Sequence, residues 1–67
     1  MDEKYYIEFD LNDEVIIGTM LFNSEEEAVN WWNMVGGTLR EIKVTLMKEV
    51  RKKNSIKVDI EFVRELK

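Results

Sequence analysis

The chain has no histidine and no cysteine among its 67 residues. The first absence removes the commonest general base near neutral pH and the commonest zinc ligand. The second removes thiol nucleophiles, thiolate metal ligands and disulfide staples. Together they exclude the usual nucleophile–base pairs of covalent catalysis. Proline is also absent and glycine occurs only three times, so there is no proline-rich linker or low-complexity tract. No segment approaches the roughly 20 apolar residues of a membrane-spanning helix. The start, Met1-Asp2-Glu3-Lys4, lacks the basic and then apolar layout of a secretory signal. With no cysteine to suggest an oxidising compartment, a cytoplasmic location is expected.

The composition is 45% hydrophobic and 36% charged, which fits a globular domain and not a disordered polyelectrolyte. The length allows one domain, residues 1–67, with one small core. Net charge is −4, unevenly placed: residues 1–37 hold nine acids and one base, residues 38–67 five acids and nine bases. Such asymmetry predicts a dipolar surface that steers a charged partner or pairs with a copy of itself. A domain this small, without staples, is marginal alone, so a homodimer or a stabilising partner is expected.

Tyr5, Ile7, Phe9 and Leu11 alternate with Tyr6, Glu8 and Asp10, the pattern of a half-buried strand. Asn12-Asp13 is a turn candidate. Val15 to Phe22 is apolar on both faces, with Val15/Ile17/Leu21 as one set and Ile16/Met20/Phe22 as the other. Ser24 and Glu27 form an S-x-x-E capping box. Ala28, Trp31, Trp32 and Val35 then recur at helical spacing over about three turns. Gly36-Gly37 suits a left-handed helix stop. In the second half, Ile42, Val44 and Leu46 alternate with Glu41, Lys43 and Thr45. Ile56, Val58, Ile60 and Phe62 alternate with Lys57, Asp59 and Glu61, and Arg51 to Ser55 form the turn between the two runs. The order is ββαββ, an α+β fold with a four-stranded sheet and one helix packed on one face. The crossover through the helix is expected to be right-handed if the strands it joins run parallel.

Little catalytic chemistry remains. Ser24 reads as a helix cap and Ser55 as a turn residue. The carboxylate pairs Glu8/Asp10 and Asp59/Glu61 lack the pocket that acid–base work needs. Asp10 to Glu14 is not a calcium loop, because the sixth-position glycine is missing and Leu21 stands where the closing glutamate belongs. Gly36-Gly37 follows a helix and so cradles no phosphate. The expectation is a non-enzyme with no catalytic residue, no metal and no cofactor.

Four features suit binding instead. One helix covers one face of a sheet, so one of the two apolar sets of Val15–Phe22 is left uncovered, with Tyr6, Met47 and Val63 as candidate neighbours. A two-residue Asn12-Asp13 turn pairs Phe9 with Ile16 and buries the even set; a three-residue loop does the reverse. Trp31 and Trp32 lie about 100° apart around a helix, and Trp31 with Met34 beside it is a rim-anchor candidate. Lys48, Arg51, Lys52, Lys53 and Lys57 make a basic hairpin tip. The acidic first half, including Glu8 and Asp10, complements a basic surface such as that of a nucleic-acid-processing enzyme.

The run Phe22-Asn23-Ser24-Glu25-Glu26-Glu27-Ala28-Val29-Asn30-Trp31-Trp32, closed by Gly36-Gly37 and a charged strand, resembles small accessory proteins of phages and mobile elements. That resemblance implies an early-expressed cytoplasmic protein that inhibits or redirects a host protein, for example a defence nuclease. It carries over no catalytic residue. The combined expectation is a protein–protein interaction module, an accessory or inhibitor protein of anti-defence type. Its partner-binding residues are Ile16, Ile17, Met20, Tyr6, Trp31, Met34, Glu8 and Asp10. The alternative is a nucleic-acid-binding β-ribbon using Arg51, Lys52, Lys53 and Lys57.

Overall fold

A computed structural model describes residues 2–11, 15–35 and 42–67. The expected Asn12-Asp13 turn and Gly36-Gly37 stop lie outside the described residues. The elements are β1 (Asp2–Leu11), β2 (Val15–Gly18), α1 (Glu25–Val35), β3 (Ile42–Arg51) and β4 (Val58–Glu65). They form the expected α+β fold, one helix with a four-stranded sheet of order β2-β1-β3-β4. All three strand pairings are antiparallel. β2 and β3 therefore point the same way, with β1 between them.

β1 leads because its alternation is clean. Ile7 is fully buried and Tyr5 and Phe9 pack around it. β3 supplies Val44 and Leu46, both fully buried. In β1–β3 register Ile7 opposes Leu46 and Phe9 opposes Val44, so the central strands build one apolar face. α1 closes that face with Ala28, Trp31 and Trp32. Both indoles meet Phe9, with ring centroids 6.3 and 6.1 Å away, and Trp31 also meets Phe22 at 5.9 Å. Adjacent tryptophans thus straddle one phenylalanine, which suits their separation around the helix.

The helix starts where its capping grammar says. The Glu27 N–H donates to Ser24 Oγ at 3.1 Å, and the Glu27 carboxylate accepts from the Asn23 N–H at 2.9 Å. This is a capping box whose return bond reaches one residue further upstream than usual. Glu25, in the first turn, pairs with Arg64 of β4 at 3.6 Å.

Three expectations are corrected. β2 is a four-residue edge strand, not a strand running to Phe22. Its register gives Phe9↔Ile17 and Leu11↔Val15, the pairing of the three-residue-loop alternative, so Ile17 shares the helix side. Beyond Gly18 the strand slips by one residue, because Tyr5 bridges Phe22 and not Leu21. That bulge moves Phe22 out of the Ile16/Met20 set and into the core. Next, Val63 packs against the helix-side core, not on the opposite patch. Finally, Ile56 belongs to the β3–β4 connection and is fully exposed. That connection covers residues 52–57 and includes Asn54 with φ 65°, a left-handed conformation that asparagine tolerates.

Candidate functional site

The face of the sheet away from α1 is built by the register of β1 with β3. Five pairs lie on it in order: Asp2↔Arg51, Lys4↔Glu49, Tyr6↔Met47, Glu8↔Thr45 and Asp10↔Lys43. Three of these oppose an acid with a base, the favourable cross-strand arrangement. Tyr6↔Met47 is the apolar level between them. β4 extends it, because Met47 opposes Phe62 and Glu49 opposes Ile60. Phe62 is 62% exposed and Ile60 51%. On the other flank the Tyr5↔Phe22 bridge puts Leu21 level with Tyr6. Leu21 lines a shallow concavity with Lys4, Glu49 and Arg51. The result is an apolar level, Tyr6–Met47–Phe62, across β1, β3 and β4, with charges above and below it and Leu21 at the flank beside Lys4.

Tyr6 is the best-held member. Its hydroxyl donates to Glu8 Oε1 at 3.0 Å. A Cβ on Gly18 would meet its ring at 3.6 Å, so the ring lies over the one position of β2 that has no side chain. Burial, first, and then the Glu8 hydrogen bond and the charges of Glu8 and Glu49 push its phenol from 10.0 up to about 12. Each cause disfavours a phenolate beside carboxylates.

The expected partner-binding residues are not brought to one place. Tyr6, Glu8 and Asp10 share the open face. Ile16 is placed by register alone, opposite Asp10. Ile17 is 54% exposed but opposes Phe9, so it sits on the helix side at the sheet edge. Met20 is 74% exposed in the bulge after β2. Trp31 is half-buried in the core, and Met34, 83% exposed, stands on the helix. Phe62 and Ile60 were missed as site residues. Their alternation with Asp59 and Glu61 marks a strand with one apolar side but does not say which face that side takes; Arg51↔Val58 fixes it on the open side. The adjacent pair Phe62-Val63, apolar on both faces, was the available signal.

Arg51, Lys52 and Lys53 do gather at the tip, around a concavity also lined by Asp2, Asn54, Ser55 and Ile56; Lys57 ends the same connection, its N–H donating to Ser55 Oγ. Among the described residues no cluster of three or more carboxylates could hold a metal ion, and no helix is long and apolar enough to cross a membrane. No family model, curated protein or solved structure matches this chain.

Proposed function

We propose that the protein is a non-catalytic protein–protein interaction module, an accessory or inhibitor protein that docks its partner on the open sheet face. The observation that carries this reading is the pair Phe62 and Ile60, both more than half exposed and side by side on a face that no helix covers among the described residues. Large exposed apolar groups set among charges are the common anatomy of contact surfaces. Glu8 and Asp10 on the same face favour a partner with basic groups at that end.

The test is capture of partners from cell extract by immobilised wild type, Phe62→Asp and Lys52→Ala. Capture is lost with Phe62→Asp and kept with Lys52→Ala, while circular dichroism is the same for all three. A captured set indifferent to Phe62→Asp refutes the reading.

A second reading rests on the hairpin tip, where fully exposed Ile56 stands among Arg51, Lys52, Lys53 and Lys57. Cations with one apolar side chain suit phosphate contacts plus a wedge against bases. It predicts salt-dependent retardation of DNA or RNA that disappears when Arg51, Lys52 and Lys53 are changed to Ala. Absence of retardation at low salt removes it.

A further inference from the structure

We propose that the occupant of the open face is a second copy of this chain, seated face to face about a twofold axis that runs parallel to the strands between β1 and β3. The inference rests on reading that face as a docking surface and names what docks there.

The argument is charge complementarity, level by level. A twofold axis along the strands leaves each level at its own height and lays β1 of one copy over β3 of the other. Asp2 then meets Arg51 of the second copy, Lys4 meets Glu49, and Asp10 meets Lys43, because those residues already oppose each other in register within one copy. At these three levels each charge gains an opposite charge above it to match the one beside it, while Glu8 meets the neutral Thr45. At the middle level Tyr6 lies over Met47, with Phe62 on one flank and Leu21 on the other, so the apolar groups of the two copies form one layer. The other face-to-face twofold, running across the strands, inverts the levels. It sets Asp2 over Asp10 and Arg51 over Lys43, two like-charge contacts against the one opposite-charge contact of Lys4 over Glu8. The pattern of the face therefore selects one axis.

Size fits a weak dimer. β1 and β3 span about 33 Å each, β4 about 27 Å and β2 about 13 Å, which at about 4.8 Å between strands gives a face of roughly 500 Å². That lies somewhat under the roughly 600 Å² per partner of a stable specific interface. Stacked sheets sit about 10 Å apart with strand directions aligned within about 30°, a geometry that both copies reach without backbone change. Edge-to-edge pairing of β4 with its own copy is disfavoured by comparison: centred on Glu61, where Ile60 would meet Phe62, it opposes Glu61 to itself.

The test is sedimentation equilibrium from about 1 µM to about 500 µM, a range that brackets weak specific association. The wild type is expected to rise from the 8.0 kDa monomer mass to twice that. Phe62→Asp and Ile60→Lys, both at exposed positions, should stay monomeric with unchanged circular dichroism, each weakening association at least about 100-fold. Lys4→Glu should weaken it about 10-fold, and adding Glu49→Lys should restore it. A wild type that stays monomeric throughout overturns the inference; Phe62-sensitive capture of a different protein then leaves the docking face standing alone. A dimer indifferent to Phe62→Asp and Ile60→Lys places the contact elsewhere and also overturns it. A dimer lost in Phe62→Asp, but in which Glu49→Lys fails to rescue Lys4→Glu, overturns the axis.

Discussion

Leu46→Ala probes the core where it is most closed. Leu46 is fully buried, opposes Ile7, and lies next to the β3–β4 register shift. On the helix side its neighbours in the buried cluster are Ile7, Val44 and Ala28. None of these is long enough to swing into the space left by an isobutyl group, and Ala28 has nothing to extend. Leucine-to-alanine changes in cores cost about 2–5 kcal/mol, more where the cavity stays open. The upper part of that range, about 3–4 kcal/mol, is expected here. A chain of 67 residues has about 3–10 kcal/mol of total stability, so the variant retains little of it. The assay is urea unfolding followed by far-UV circular dichroism at fixed protein concentration, which association would otherwise confound. The midpoint falls while the slope stays constant. Met34→Ala is the control; at 83% exposure it moves stability by no more than about 0.5 kcal/mol. A Leu46→Ala loss below about 1 kcal/mol would refute the placement of the core between β3 and α1.

Ser24→Ala removes the acceptor for the Glu27 N–H and is expected to cost about 1 kcal/mol by urea unfolding; no change would mean that the helix start is held by other bonds. Gly18→Ala adds a methyl at ordinary contact distance from the Tyr6 ring and meets no positive φ, so it should stabilise by about 0.5 kcal/mol, and destabilisation would contradict the position of that ring. Tyr6, with its phenol pushed up to about 12 from 10.0, holds its proton more tightly folded than unfolded; its contribution to stability is complete below pH 10 and is lost as pH rises from 10 towards 12. Absorbance titration of the phenolates should find this late-titrating group, and Glu8→Gln should bring its midpoint down; a midpoint already near 10 in the wild type would discard the Glu8 contact.

Much of the fold was legible because the central strands are unambiguous. Tyr5, Ile7 and Phe9 against Glu8 and Asp10, and Val44 and Leu46 against Lys43 and Thr45, leave one choice of buried face. The helix start was legible because Ser24 and Glu27 have one good reading. The edge strands were not. Val15 to Phe22 is apolar on both sides, and a single slip between Gly18 and Phe22 decides which residues turn inward. The parity of β4 depends on the length of the connection after Arg51, which no alternation within the strand encodes. Strand order depends on β1 pairing with both β2 and β3 over the whole domain, a long-range choice that local pattern leaves open. The candidate site combines the central strands with edge strand β4, which is why Tyr6, Glu8 and Asp10 of β1 were found and Phe62 and Ile60 of β4 were not.

The exposed set of β4 follows from the length of α1. Eleven helical residues span about 16 Å, whereas the ten residues of β3 span about 33 Å. Turning β4 over would carry Ile60 and Phe62 to the helix side, where full burial of each would be worth about 1.5–3 kcal/mol. At their height on the sheet, however, the helix-side positions of β3 are Lys48 and Val50, opposite Glu61 and Asp59. The flip would replace an acid with an apolar residue beside Lys48, which also pairs with Glu3 at 3.5 Å. Each edge strand has instead a one-residue slip that pulls one apolar side chain inward, Phe22 after β2 and Leu66 after β4, both packed on the core. Phe62 and Ile60 lie before the β4 slip and keep their outward parity. Among the described residues one short helix serves one face and leaves Phe62 and Ile60 uncovered, which is the opening that the proposed second copy would fill with its own matching pattern of charge.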